Sequence, residues 1–196
     1  AYRAIEDHEL GAADHRGAGG PVHVSTGKLR YPAAEAMIVA GQQLGLSRKE
    51  DLNDDLLEGV GYSAHTIKRG RRQSAARTFL KAARRRPNLR VQNGAHVERV
   101  LCDGRRVTGV QCRVNGAQKI FQARGEIILC AGAILSPVIL QLSGIGPAAH
   151  LQSVGIDVLQ DSPDVGNRMR EHLGFSMPHR LRGTRGLDHR FRGAGL

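Results

Sequence analysis

Three kinds of residue in this 196-residue chain could do chemistry: three cysteines, nine histidines and a few glycine-rich turns. Cys102, Cys112 and Cys130 are odd in number and include no CxxC pair, so neither a disulfide framework nor a zinc knuckle is expected. They read as reduced thiols packed as small apolar side chains, which suits a reducing, cytoplasmic setting; membrane association stays open. The histidines are scattered, and no two lie at helical spacing for a metal, so they read as surface or structural residues. Gly59-x-Gly61-x-x-Ala64 and Gly144-x-Gly146-x-x-Ala149 imitate a dinucleotide fingerprint. The first lacks a preceding apolar strand. The second follows a helix and is crowded by Pro147. A fingerprint works only where a strand turns into a helix aimed at phosphate, so both read as turn glycines. There is no GxSxG elbow, P-loop or HExxH. Ala131-Gly132 is the segment that holds up. It follows the apolar run Glu126–Cys130, and ligands of α/β sheets sit beyond the carboxyl ends of parallel strands. Two residues without bulk there would let a ligand reach the backbone.

Certain elements must position that segment. Residues 1–30 are Gly-rich and polar and read as loop. Pro32 opens a helix whose Ala33, Ala36, Met37, Ala40 and Leu44 share a face, with Gly45 as its stop. Residues 46–66 show no period. Ser74 caps a short helix with Ala76, Phe79, Leu80 and Ala83 on its apolar face, ended by Pro87. Leu89–Val91 reads as a short strand. Val97–Cys102, Val107–Val114 and Gln118–Ala123 form a meander, turned by Asp103-Gly104 and Asn115-Gly116. Glu126–Cys130 reads as a strand buried on both faces of a parallel sheet. The next helix takes Ser136 as cap and Pro137 as first residue, with Ile139, Leu140 and Leu142 in the core. Meander, buried strand, small residues and helix make an α/β pattern with a mixed sheet.

Composition sets bounds. The length allows one domain or parts of two, and 40% hydrophobic residues exclude wholesale disorder. No apolar run reaches the ~18 residues of a membrane span. The chain opens Ala-Tyr-Arg without initiator Met or signal peptide, and reads as the middle of a protein. The formal charge of +11 comes largely from Lys68–Arg72, Arg84–Arg86 and the tail arginines. Such clusters keep a nucleic-acid-binding protein as an alternative. Aromatic residues are only 4% and are not interleaved with the arginines, so the clusters read as solvated faces.

Gly132-Ala-Ile-Leu-Ser-Pro-Val-Ile-Leu-Gln-Leu-Ser-Gly-Ile-Gly-Pro147 resembles the second signature of the glucose–methanol–choline (GMC) oxidoreductases. The flanks follow in that family's order: Arg16–Val22, Asp51–Asn53, Glu58–Gly61, Gly70–Ala76, Arg86–Val91, Asp164–Asn167 and Glu171-His172. The resemblance runs from about Gly17 to Gly174. It implies a partial Rossmann-like FAD-binding domain plus parts of an α+β substrate-binding domain. The portions would be 1–65 for the substrate domain, 66–147 for the FAD domain, and 148–196 for a flavin-covering stretch that starts the substrate domain again, from Phe175, Met177 and Leu181. The cofactor implied is FAD, the partner a small alcohol, and the reaction hydride transfer from a primary alcohol to flavin, with a histidine base. Val97 is expected to meet the adenine end of FAD through its backbone, and Ala131 and Gly132 the adenosine or ribose portion. His172 is expected to be structural. Choline-oxidising relatives carry a Glu two positions beyond this histidine, where Gly174 stands, so a less polar alcohol is expected. The family's GxGxxG and its catalytic histidine are not in these residues, so no catalytic residue is assigned. The chain is expected to be an internal piece that leaves apolar faces uncovered and, alone, neither holds FAD tightly nor oxidises alcohols. A catalytically dead remnant is the remaining alternative, and the neighbouring coding sequence separates it from an intact enzyme.

Overall fold

The computed structural model describes residues 1–54 and 58–175, in two units: Ala1–Arg90, and a second that begins at Val91. The first unit starts with α1 (Tyr2–Ile5), β1 (Glu6–His8) and β2 (Val22–Val24), the two strands pairing in parallel. Residues 1–30 are therefore not simply loop. Carboxylates hold this segment, which is why no apolar alternation betrayed it. Glu6 accepts the Gly17 N–H at 2.8 Å, Asp7 accepts the Gly19 N–H at 3.2 Å and faces His23 at 2.8 Å, and Glu9 accepts the Thr26 N–H at 2.5 Å. Gly17 also packs so close that a side chain there would run into the Arg3 carbonyl.

Helix α2 (Pro32–Gln43) begins at the expected proline and ends in a Schellman turn, Leu46 donating to Gly41 and Gly45 to Gln42. Its inner face differs from the expected one. Ile38 is buried, while Met37 and Leu44 are 72% and 84% exposed. The helix is apolar nearly all round from Ala33 to Ala40, so periodicity could not choose a face. Packing chose it: Gly41, one turn from Ile38, lies against Val60 of β4 (Val60–Gly61). That strand pairs in parallel with β3 (Arg48–Lys49), giving order to the stretch 46–66 that shows no period.

Asp51 follows β3 and is buried. Its carboxylate accepts the Asn53 N–H at 3.0 Å and the Arg16 guanidinium at 3.1 Å, with His8 and His15 at 3.8 and 3.7 Å. Burial pushes this carboxyl up, but the Asn53 N–H and Arg16 together outweigh it and hold it below the usual carboxylate range. The unit closes with the hairpin β5 (Ile67–Lys68) and β6 (Arg71–Arg72), a π-helical turn (Ala76–Leu80) and α3 (Lys81–Ala83). Ser74 serves that helical segment with its carbonyl, which accepts Arg77 and Thr78 at 2.9 Å each, and not with a side-chain cap. Leu89–Val91 pairs with no strand.

The second unit is built on the antiparallel meander β7 (Ala95–Asp103), β8 (Arg106–Val114) and β9 (Ala117–Gln122). Asn115 and Gly116 turn it at φ 51° and 83°, as a two-residue hairpin requires. Helix α4 (Gly132–Leu142) packs on β7, placing Ile139 in a core with Val100, Cys112 and Leu151. It starts at Gly132, five residues before the expected Pro137. Ser136 instead reaches back, its hydroxyl accepting the Ala131 N–H at 3.1 Å, and Pro137 lies inside the helix. Beyond α4, β10 (Ile145–Gly146) pairs in parallel with β11 (Gln160–Asp161), flanking α5 (Ala148–Ser153). Parallel and antiparallel pairing thus both occur, in separate sheets.

Glu126–Cys130 forms no ladder, and Ile128 is 74% exposed, so the expected doubly buried strand is corrected. A strand is defined by its neighbour, and a parallel neighbour arrives only through a long crossover. None of the described residues supplies one.

Ser143 ties the unit together. Its hydroxyl donates to the Ile139 carbonyl at 2.5 Å and accepts the Val100 N–H at 2.9 Å. Ser143→Ala orphans that strand N–H and is expected to cost ~1–2 kcal/mol in urea unfolding, with unchanged m. In the first unit, Asp51, Asp7 and Glu9 all titrate low, Asp7 chiefly through His23 and Glu9 chiefly through Thr26. Their stabilisation is complete above about pH 5 and is lost as pH falls through the lowered folded-state values. Asp51→Asn should flatten stability against pH over that acid range and cost ~2–4 kcal/mol at neutral pH, because Arg16 loses its partner. Urea titrations from neutral to acid pH check both expectations.

Candidate functional site

The residues expected to meet a cofactor all lie in the second unit. Val97 stands on β7 opposite Cys112, half-buried, where the ladder shifts register between Val97 and Arg99. Such a bulge leaves one residue without a ladder partner and re-aims the backbone beside it. The extra residue is Glu98, whose carboxylate is held by Gln111 and Arg113 at 2.9 Å each; those two bonds keep it below its usual range. Ala131 is the N-cap of α4 and Gly132 its first residue; both are exposed.

Gly132 has φ 86°, and a Cβ added there would meet nothing within 4 Å. Its glycine character therefore answers a left-handed backbone and leaves open space outside it. The first-turn N–H groups of α4 have no partner within the helix, and a helix start of this kind suits phosphate or another oxygen-rich group. Gly146 leads by contrast into a helix start already filled, since Ala148 N–H donates to Asp161 at 3.0 Å. The imitation fingerprint is thus closed to phosphate while Gly132 is open.

Beside the start of α4 lies a cavity of about 490 Å³, lined among others by Ala133, Ile134, Pro137, Gln141, Gly166 and Arg170. Gln141 shapes it by donating its side-chain amide to the Val165 carbonyl at 3.0 Å, which holds the loop 164–167 against the helix. The sequence reading quoted Asp164–Asn167 only for its order along the chain. Its pairing with Gln141 carries no local signal, because the two are 24 residues apart. The described structure joins β7 and α4 at Ser143, at the far end of the helix from Gly132. No hydrogen bond links Val97 with Ala131 or Gly132 among the described residues. Ile134 and Met169, which line the cavity, are each 68% exposed.

Elsewhere the chemistry is spoken for. In the first unit His8 accepts the Leu10 N–H at Nδ1 and turns Nε2 to Asp51, so neither ring nitrogen is left for a substrate. Among the described residues no cluster of His, Cys, Asp or Glu could hold a metal. The three thiols are unpaired, and burial raises that of Cys112. His172 and Gly174 are exposed, the His172 N–H bonded to Glu171 at 2.8 Å. No described helix is long and apolar enough to cross a membrane. Met177 and Leu181 lie outside the described residues.

Similarity to known proteins agrees with this layout. The family model for GMC oxidoreductases matches residues 1–174. An oxygen-dependent choline dehydrogenase of Paraburkholderia phymatum is 43% identical over 91% of this chain, and that of Ectopseudomonas mendocina 43% over 88%. The chain spans only 32% and 31% of those relatives. Among solved structures, pyridoxine 4-oxidase from Mesorbium loti superposes on 83% of the chain with a TM-score of 0.78 and 38% identity, over 32% of its own length. An FAD-dependent oxidoreductase from Chaetomium thermophilum gives 0.73 and 28% over 83% of this chain and 31% of its own. With the family model covering nearly all of the described residues, the chain belongs to the GMC oxidoreductase family.

Proposed function

We propose that this chain is part of an FAD-dependent oxidoreductase that takes a hydride from a primary alcohol. The observation that carries the reading is Gly132: left-handed, open, and at the start of an eleven-residue helix whose sequence is the family signature. Ala131 and Gly132 would take the adenosine or ribose portion of FAD, and the Val97 backbone, next to the Glu98 bulge, the adenine end. When bound, the flavin supplies the electron chemistry; these residues supply binding and position. Their small size permits close approach, and Ser143 keeps β7 and α4 in one packed unit. Relatives named for choline and pyridoxine support an alcohol donor. Gly174 places no carboxylate where a quaternary ammonium would be attracted, which favours an uncharged alcohol over choline.

The test expresses the chain with its adjoining coding sequence. A flavin that bleaches anaerobically on addition of a primary alcohol is the expected result. Gly132→Val should reduce flavin occupancy at least tenfold while leaving the circular dichroism of the fold unchanged, because a β-branched residue at φ 86° is strained and fills the open space. Full flavin occupancy in that variant overturns the site. A bound flavin inert to alcohols but reduced by another donor overturns the substrate class.

A further inference from the structure

Between Gly59 and Val97 the chain carries ten lysines and arginines and not one aspartate or glutamate. The structure exposes all ten. Four belong to the β5–β6 hairpin, two to the helical segment Ala76–Ala83, three to the run Arg84-Arg85-Arg86, and the last is Arg90. Among the described residues only Lys68 faces a carboxylate, Asp7 at 3.5 Å. Elsewhere in this unit three cations meet carboxylates: Arg16 with Asp51, Arg48 with Glu35, Lys49 with Asp54. So the positive charge is not spread evenly; ten cations fall in one continuous stretch, and among the described residues only Lys68 meets a carboxylate. Exposed apolar side chains lie among the cations. Ile67, Phe79 and Leu89 are 40%, 42% and 38% exposed, and Arg77, Lys81, Arg84 and Arg85 line with Leu80 an open groove of about 610 Å³.

We propose that residues 67–90 dock on an anionic phospholipid surface. The flavin site does not account for this stretch, which lies in the other unit. A lipid surface asks for closely spaced cations and a few apolar side chains that can enter the headgroup layer, and this stretch supplies both. Single-stranded nucleic acid asks for a row of aromatic faces, and Phe79 is the one Phe, Tyr or Trp between Ser63 and Val97. Each cation near an anionic leaflet contributes roughly a fivefold gain in partitioning. The contact is electrostatic at first approach, so it weakens as salt rises.

The test floats the full chain with vesicles of phosphatidylcholine containing phosphatidylglycerol, against phosphatidylcholine alone, at low and high salt. Flotation with the anionic vesicles only, reversed by salt, is expected. Arg84→Gln with Arg85→Gln should lower partitioning about 25-fold. Arg105→Gln with Arg124→Gln removes the same charge from exposed positions in the other unit and should change it less than threefold. Equal losses in the two double variants would reduce the effect to net charge and overturn the docking surface, as would equal binding to neutral vesicles or no flotation at all. A labelled oligonucleotide that displaces the vesicles at matched salt, and is itself lost in the Arg84/Arg85 variant, would assign the surface to nucleic acid and overturn the lipid reading.

Discussion

The second unit depends on one hydroxyl. β7 is an edge strand, and an edge strand offers unpaired N–H groups that must be covered. Ser143 covers one of them by accepting Val100 N–H, and in the same stroke returns its own proton to the last turn of α4. The hydrogen bond is short-range, but its consequence is not. It sets where a three-turn helix lies on a meander, and thereby where Gly132, at the other end of that helix, comes to stand. The apolar core of Val100, Cys112, Ile139 and Leu151 supplies cohesion without direction, since burial is indifferent to register. Ser143 supplies the direction.

The first unit solves the same problem with charge. Its strands are two or three residues long and cannot hold themselves by ladder bonds alone. Glu6, Asp7 and Glu9 each fasten a backbone N–H of the returning chain, and Asp51 gathers Arg16 and two histidines in a buried position. A buried carboxylate is costly unless it is hydrogen-bonded and paired, and here the Asn53 N–H and a guanidinium do both. The contrast with residues 59–97, where the cations have almost no carboxylate to meet, is the most uneven feature of the molecule's electrostatics. Charge that is neutralised builds the unit, and charge that is left over faces outward.

Gly132 combines a left-handed backbone with open space at a helix start. A left-handed residue at a helix start costs any side chain with a β-carbon, so the position is not freely variable on conformational grounds alone. The absence of any neighbour within 4 Å means that packing does not demand the glycine. What remains is open space at a helix start, next to a cavity whose wall is fixed by Gln141 and Val165. The chain spans about a third of the length of the choline dehydrogenases and of the pyridoxine 4-oxidase it resembles.

Much of this was legible in the residues. The meander, its Asn115-Gly116 turn, and the proline start and glycine stop of α2 come from local chemistry, while the GMC lineage comes from the resemblance of Gly132–Pro147 and its flanks to that family. What local chemistry could not decide were matters settled by a distant neighbour. Glu126–Cys130 has a strand's composition but no partner to make it one. The inner face of α2 went to Ile38 because Val60 sits there, not because the pattern chose it. β1 and β2 pair through carboxylates that periodicity does not see. Ser136 reaches back to the Ala131 N–H and caps no helix, and Ser143 binds a strand 43 residues away. Sequence by itself determines what each segment prefers, because preferences are set by torsions and side-chain type. Which preference is realised was decided only in the tertiary structure, because a hydrogen bond or a buried face needs the other half of its pair.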